Sequence, residues 1–332
     1  MHLQLPPGAF RLAYRLLTAH KPRDTLSYPG TPRVQVFTGT PAQPVVPTAA
    51  PDTPETPETP APIPARIWTY WHSATLDPVV QQCIANWRRH CPGLDVQVIH
   101  AHTLGDVVAA GDLPPAFAAL PAAKQADWLR LYVVRKFGGY WLDASTLLTQ
   151  SLAWLDGLRQ TQGAEFVGFY IDGYTTDLRY PIIESWAFGA PPGAPFVTAW
   201  QQEFHRALVE EGEQRYLQAL QAQAGGRQVL QGITDPAYLL IHVAAQQVLR
   251  RPNGFRLALL RAEDTAFFYQ QAVWWKWYLL YPRLCLVPAE PHPAPLIKLR
   301  GGERRHFAKL LQGHGGAAPG SVWQRATTAT GT

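Results

Sequence analysis

The chain has 332 residues, 47% of them hydrophobic and 16% charged, which is enough apolar material for one large domain or two ordinary ones. Its net charge of +5 is spread along the chain and forms no basic stripe, which argues against nucleic acid and suits a small anionic ligand or an anionic membrane surface. Cys83, Cys91 and Cys285 supply no even disulfide framework and no C-x-x-C pair, and the first two would sit about 12 Å apart on a helix, so a reducing, cytoplasmic compartment is expected.

Residues 6–21, PPGAFRLAYRLLTAHK, pattern as a short basic amphipathic helix with Phe10, Ala13, Leu16 and Leu17 on one side. Such a helix either docks on its own domain or rests on a membrane surface. Arg11 and Arg15 break the apolar run, so it is not the core of a signal peptide, and no run reaches the roughly 18 residues of a membrane span. Residues 41–64 include nine prolines and a doubled Pro-Glu-Thr at 54–59. Proline gives no ladder hydrogen bond and favours extended chain, so 41–62 reads as a linker between an N-terminal segment, 1–40, and the folded domain. That domain is expected to begin near Ile63 and to run over 63–300, with 301–332 a partly disordered tail.

From there strands and helices alternate. ARIWTYWH (65–72) reads as a buried strand, and DPVVQQCIANWRRHCPG (77–93) as a helix capped by Asp77 and closed by Pro92-Gly93. LDVQVIH (94–100) is a second strand. PAAKQADWLRLYVVRKFGG (121–139) is a helix closed by two glycines, and it delivers the chain to the strand YWLDAST (140–146). Further strands are expected at 165–172 and 183–190, and helices at 194–211 and 235–251. This alternation predicts an α/β domain with a mostly parallel sheet, whose ligands bind beyond the carboxyl ends of the strands. Asp143 sits at such an end, where it either caps a turn or meets a polar ligand.

Asp127 and Arg130, three apart, share one face of the preceding helix. They form either a surface ion pair or a site in which a carboxylate holds hydroxyls beside a guanidinium that meets phosphate. The segment ADWLRLYVVRKFGGYWLDAS (126–145) resembles the pattern A-x-x-S-D-x-x-R…G-G-x-Y-x-D-x-D of carbohydrate-active family thirty-two glycosyltransferases. It is closer to their capsular polysaccharide synthesis branch, where the motif commonly ends D-A-[ST]. IPARIWTYW (63–71), PIIESWAFGAPPGAPFVTAWQQEF (181–204) and PLIKL (295–299) resemble the same branch, in the same order.

The resemblance implies a GT-A-like fold, Rossmann-like with a mostly parallel sheet flanked by helices. It also implies transfer of a sugar from a nucleotide-sugar donor to a glycan or lipid-linked acceptor, with retention. Asp127 and Arg130 would contact the donor, Arg130 near its phosphates. Asp143 would bind donor hydroxyls and help place a divalent cation, Mn²⁺ or Mg²⁺. Tyr70 or Trp71 would stack on the nucleobase, unless both are core residues. The second acid of the motif is here Ser145, a poorer ligand for a hard cation than carboxylate. Water-mediated coordination, a ligand from elsewhere, or a metal-free site relying on Arg130 and Lys298 are all open.

Glu184 either meets the acceptor or caps a strand, as does Asp172. His242 and Gln246 share a helix face as core or ligand residues, and Lys298 is either a solvent residue or a phosphate contact. WWKWYLLYPR (274–283) fits a membrane-interface belt, an aromatic core or a sugar platform. A cytoplasmic setting is expected, with the inner face of the cell membrane as one place within it. The rival reading is a non-catalytic carbohydrate- or nucleotide-binding module with a decayed metal site, and a nucleotide-sugar hydrolase is a third. Dinucleotide, P-loop, zincin and α/β-hydrolase motifs do not occur.

Overall fold

The computed structural model describes residues 5–21, 26–40 and 60–328, so the expected linker falls almost wholly outside the described residues. Among the described residues nine strands are present: β1 (Val34–Thr38), β2 (Arg66–Tyr70), β3 (Asp95–Ile99), β4 (Gly139–Leu142), β5 (Thr146–Leu148), β6 (Phe166–Tyr170), β7 (Ile183–Ala190), β8 (Arg256–Arg261) and β9 (Leu296–Lys298). Seven form one sheet in the order β1-β8-β6-β7-β4-β2-β3, and β5 and β9 pair separately. β2 runs parallel to β3 and β4, and β6 parallel to β8. β7 is antiparallel to both β4 and β6, which aligns those two with each other. Five strands thus point one way, and only β7 and the edge strand β1 are inverted. The α/β architecture expected from the alternation is the one the chain forms.

Side chains alternate between the two faces of each strand, and each face carries its own apolar cluster. Ile67, Tyr140, Leu142 and Val167 enter one, beside Trp87, Leu280, Phe307 and Trp323. Trp68, Trp141, Phe166 and Leu257 enter the other, beside Leu131, Trp200 and Val243. The second is covered by helices Ala122–Phe137, Pro195–His205 and Leu240–Arg250.

Local chemistry fixes the elements that frame the site. Helix Pro78–His90 starts where Asp77 accepts the Val79 amide at 2.9 Å, with Pro78 in its first turn, as the sequence predicts. Helix Ala122–Phe137 stops at Gly138 (φ +64°) and Gly139 (φ +104°). A Cβ on Gly138 would lie 2.7 Å from Pro192 and one on Gly139 2.8 Å from the Arg66 carbonyl, so neither position accepts a side chain.

Two expected boundaries need correction. The fold does not begin near Ile63: β1 pairs with β8, and helix Pro7–Thr18 buries Phe10 and Tyr14, with Phe10 set edge-on to Tyr281 at 5.6 Å. β1 is a half-exposed edge strand of five residues, too short and too polar in its surroundings to announce itself by pattern. Nor is 301–332 a tail over its described part. Helices Gly301–Gly313 and Val322–Thr327 bury Phe307 and Trp323, and Asn86 donates to the Ala326 carbonyl at 2.7 Å. The three cysteines are buried and free. Among the described residues no helix is long and apolar enough to cross a membrane.

Candidate active site

β4 ends at Leu142, and Asp143 follows at the carboxyl edge of the parallel strands. Its amide donates to the Trp186 carbonyl of β7 at 2.7 Å, which fixes the turn against the neighbouring strand. One carboxylate oxygen, Oδ1, accepts from Arg130 Nη2 and from Trp141 Nε1, each at 3.1 Å. Trp141 lies two residues back on β4 and so on the same side as Asp143. The Arg130 guanidinium also covers the Trp141 ring, at 5.3 Å from its centre.

Arg130 is the hub. Its Nη1 lies 3.0 Å from Asp127 Oδ1 and donates to the Ser185 hydroxyl. Asp127 and Arg130 are 8% and 6% exposed, so the pair is interior, not the solvated surface pair that its spacing also allowed. Burial pushes the Asp127 carboxyl above its usual value against the pull of Arg130 and Lys124. Burial acts on Asp143 the same way, but there the Lys298 ammonium and then the Arg130 guanidinium outweigh it and hold the carboxyl below its usual value.

The short sheet supplies the rest. β5 and β9 pair antiparallel with Thr146 opposite Lys298, and the Leu299 amide donates to the Ser145 carbonyl at 3.0 Å. This register delivers Lys298 Nζ to Asp143 Oδ2 at 3.1 Å and to Ser145 Oγ at 2.9 Å. Lys298 is 9% exposed, which rules out the solvent-facing alternative. The side chain of Asp143, 25% exposed, is the most open of these charged groups.

Glu184, at the start of β7, is buried with its Oε2 3.3 Å from His242 Nε2. It therefore stands one residue from Ser185, which joins the Arg130 hub. Gln246, one helical turn after His242, bonds the carbonyls of Tyr180 and Pro181 and has a structural role. Asp172 is also structural, paired with Arg261 at 2.8 Å. Tyr70 and Trp71 leave the carboxyl end of β2 on opposite faces, half-buried. The Tyr70 hydroxyl bonds Gln125, and the Arg304 guanidinium lies over Trp71 at 4.8 Å. Neither ring is a plain core residue.

Sequence reasoning missed Trp141, Ser185, Lys124 and Tyr238. Lys124 pairs with Glu213 at 2.9 Å and donates to the carbonyls of Ala237 and Tyr238. Tyr238 is an exposed aromatic whose phenol is shifted upward, first by partial burial and then by the nearby Asp127 and Asp143 carboxylates. No pattern marks it, because it lies in a loop turn and not on a periodic element. Two surface concavities, one against Trp128 and His205 and one against Pro60 and Glu165, share no residue with the cluster.

The expected cation ligands, Asp143 and Ser145, both face the Lys298 ammonium. The Ser145 hydroxyl already donates to the Leu299 carbonyl at 2.8 Å and accepts from Lys298. A cation held by both oxygens would meet the Lys298 ammonium. Among the described residues no group of three or more His, Cys, Asp or Glu side chains is placed to hold a metal ion. As arranged, the residues do not fit a divalent cation.

Residues 48–210 match the family model described as capsular polysaccharide synthesis protein. This bears out the resemblance read from the sequence, and the matched segment carries Asp127, Arg130, Asp143 and Glu184. Among solved structures, the chain is similar to a PaToxG glycosyltransferase, with 13% identity, a TM-score of 0.35, and 58% of this chain and 80% of that one covered. It is also similar to an active-site mutant of LgtC, with 11% identity, a TM-score of 0.35, and 79% and 100% covered. None of the curated proteins compared with it matches. Lys298 lies outside the matched segment.

Proposed function

We propose that the protein is a GT-A-like glycosyltransferase that moves a sugar from a nucleotide-sugar donor to a glycan or lipid-linked acceptor in surface-polysaccharide synthesis. The observation that carries this reading is the convergence of Asp127, Arg130, Asp143 and Lys298, drawn from a helix, the end of β4 and the distant β9, on one partly open cluster at the carboxyl edge of the sheet. That edge is where open α/β sheets bind their ligands.

The chemistry suits these residues. The glycosyl C1–O bond breaks with its electron pair leaving on the diphosphate, the acceptor oxygen bonds to C1, and the acceptor's proton passes to a diphosphate oxygen. Positive charge grows on the sugar ring and negative charge on the leaving group, so fixed charges do most of the work. Arg130 and Lys298 face the diphosphate, and Asp127 and Asp143 hold sugar or ribose hydroxyls. Proton transfer to the departing phosphate on the same face needs no separate base and retains configuration. Glu184, with His242 behind it, borders the acceptor side, and Tyr70 or Trp71 flanks the base.

A lipid-linked acceptor would bring the enzyme to a membrane. Helix Pro7–Thr18 turns Phe10 and Tyr14 inward but leaves Leu12 and Leu16 57% and 66% exposed beside Arg11 and Arg15, the composition of an interfacial contact with anionic lipid.

The test is a thermal-shift panel of UDP-, GDP-, dTDP- and CMP-linked sugars in Mn²⁺-containing buffer. A donor at 100 times its Kd should add about 2.7 kcal/mol of stability, and Asp143→Ala should abolish the gain. No stabilisation of the folded wild type by any donor would overturn the transferase reading in favour of a binding module of other specificity.

A further inference from the structure

The cluster contains a cation of its own at the place where the motif would seat a metal. Lys298 Nζ has three acceptors within 3.1 Å: Asp143 Oδ2 (3.1 Å), Ser145 Oγ (2.9 Å) and the Leu299 carbonyl (3.1 Å). An ammonium has three protons, so its bonding capacity is filled. The two side-chain oxygens are the very pair expected to hold Mn²⁺ or Mg²⁺. A hard cation would have to bind them at about 2.0–2.6 Å, inside the space that Nζ takes at about 3 Å, and with the Arg130 guanidinium on the other carboxylate oxygen. Asp127 and Asp143 are balanced by Arg130 and Lys298, two charges against two, so the cluster has no surplus anion to attract a divalent ion.

The register makes this a built arrangement. Thr146 pairs with Lys298 across β5 and β9, and Ser145 bonds Leu299 through both its amide carbonyl and its hydroxyl. Gln270 Nε2 donates to the Lys298 carbonyl at 2.6 Å, and the Lys298 amide donates to the Ala266 carbonyl at 3.2 Å. The lysine backbone is therefore clamped on both sides, and its ammonium is directed at Asp143.

Resting on the nucleotide-sugar reading above, we infer that Lys298 is the resident cation of the donor site and that nucleoside diphosphates and their sugar esters bind without a divalent metal. On binding, the ammonium exchanges a neutral partner, the Ser145 hydroxyl or the Leu299 carbonyl, for a phosphate oxygen. That bond joins two opposite charges, whereas each one it replaces joins the ammonium to a neutral oxygen. Asp143 keeps the lysine in place while Arg130 takes a second phosphate oxygen. During transfer the pair of electrons from the broken C1–O bond then settles on an oxygen held by Lys298. Ser145 has a reason to be serine here: a carboxylate at that position would bind the ammonium in competition with phosphate.

The experiment is isothermal titration calorimetry of the full chain with UDP, GDP, dTDP and CMP, each in EDTA and in Mn²⁺. The inference expects one nucleotide to bind in EDTA with a Kd that Mn²⁺ changes by less than threefold. Lys298→Met should weaken that binding 10- to 100-fold, and Lys298→Arg should restore most of it, which separates lost charge from lost fold. The double variant Ser145→Asp with Lys298→His, which offers two carboxylates and an imidazole, should bind the nucleotide only when Mn²⁺ is present. Wild-type binding that appears in Mn²⁺ and vanishes in EDTA would overturn the inference while leaving the donor reading intact. Binding in neither buffer would overturn the donor reading, and this inference with it.

Discussion

Glu184 and His242 meet across two elements, a carboxylate from the start of β7 lying 3.3 Å from an imidazole on helix Leu240–Arg250. Both side chains are about one-tenth exposed, and the other ring nitrogen, Nδ1, is buried with no hydrogen-bond partner among the described residues. His242→Ala should leave the Glu184 carboxylate buried and unpaired, at a cost of about 1–3 kcal/mol. His242→Gln, which keeps a donor, should lose less. Denaturant midpoints of the two variants check this, and equal losses would show that the contact itself contributes nothing.

Arg130 reaches Asp127, Ser185 and Asp143 from one planar group, a task that no point charge performs. Arg130→Ala should unfold the protein at lower denaturant by about 3–5 kcal/mol, because the interior Asp127 loses its ion-pair partner and the half-buried Asp143 keeps only Lys298. Arg130→Lys should recover part of that stability yet remain impaired in nucleotide binding, since a single ammonium cannot span both carboxylates and a phosphate. Calorimetry of the lysine variant is the measurement, and wild-type affinity would remove Arg130 from the donor site.

Glu165 gives a pH signature away from the cluster. Burial pushes its carboxyl up to about 7, although the Phe196 amide donates to it at 2.8 Å. Between the ordinary carboxylate value and 7 the folded state holds a proton that the unfolded chain has released. Stability should therefore fall as pH rises through that window, and be full below it. Allowing for the side chain's partial exposure, the loss is about 1–2 kcal/mol. Glu165→Gln should flatten this slope and be more stable than wild type at pH 8, as read from melting temperatures at pH 5 and 8. A parallel shift of both curves would exclude Glu165 as the cause.

What the sequence displayed was whatever rests on local pattern. KFGGYWLDAST contains the helix stop, the strand and the half-buried carboxylate in one run, because two glycines with positive φ and a buried strand are local requirements. The i,i+3 spacing put Asp127 beside Arg130, and the structure adds that the pair is interior. The placement of Lys298 was not legible, since it depends on a three-residue strand pairing with another three-residue strand some 150 positions away. Strands that short have no periodicity to read. The same holds for β1 and for the last two helices, whose burial is set by partners remote in sequence, such as Asn86 for Ala326. The aromatic run at 274–283 divided between the alternatives. Leu279, Leu280 and Tyr281 are core, Trp277 stacks on His306 at 3.9 Å, and Trp274 and Tyr278 remain outward.

Those outward rings adjoin the last prediction. At the end of helix Pro7–Thr18, Lys21 lies over the Trp274 ring at 4.0 Å and His20 stacks on it at 5.6 Å, so the N-terminal helix and the aromatic run share a surface. Leu12 and Leu16 stand outward on that helix, one turn apart, with exposed Arg11, Arg15 and Lys276 nearby in the same two elements. Leu12→Glu with Leu16→Glu should abolish co-sedimentation with vesicles rich in phosphatidylglycerol while leaving the melting temperature unchanged, because neither side chain is packed. Wild-type binding should weaken with salt, as attraction between basic side chains and anionic headgroups is screened over about 8–10 Å at physiological ionic strength. Vesicle binding that survives the double substitution would move the membrane contact elsewhere. A fall in melting temperature would show instead that the two leucines cover another part of the protein.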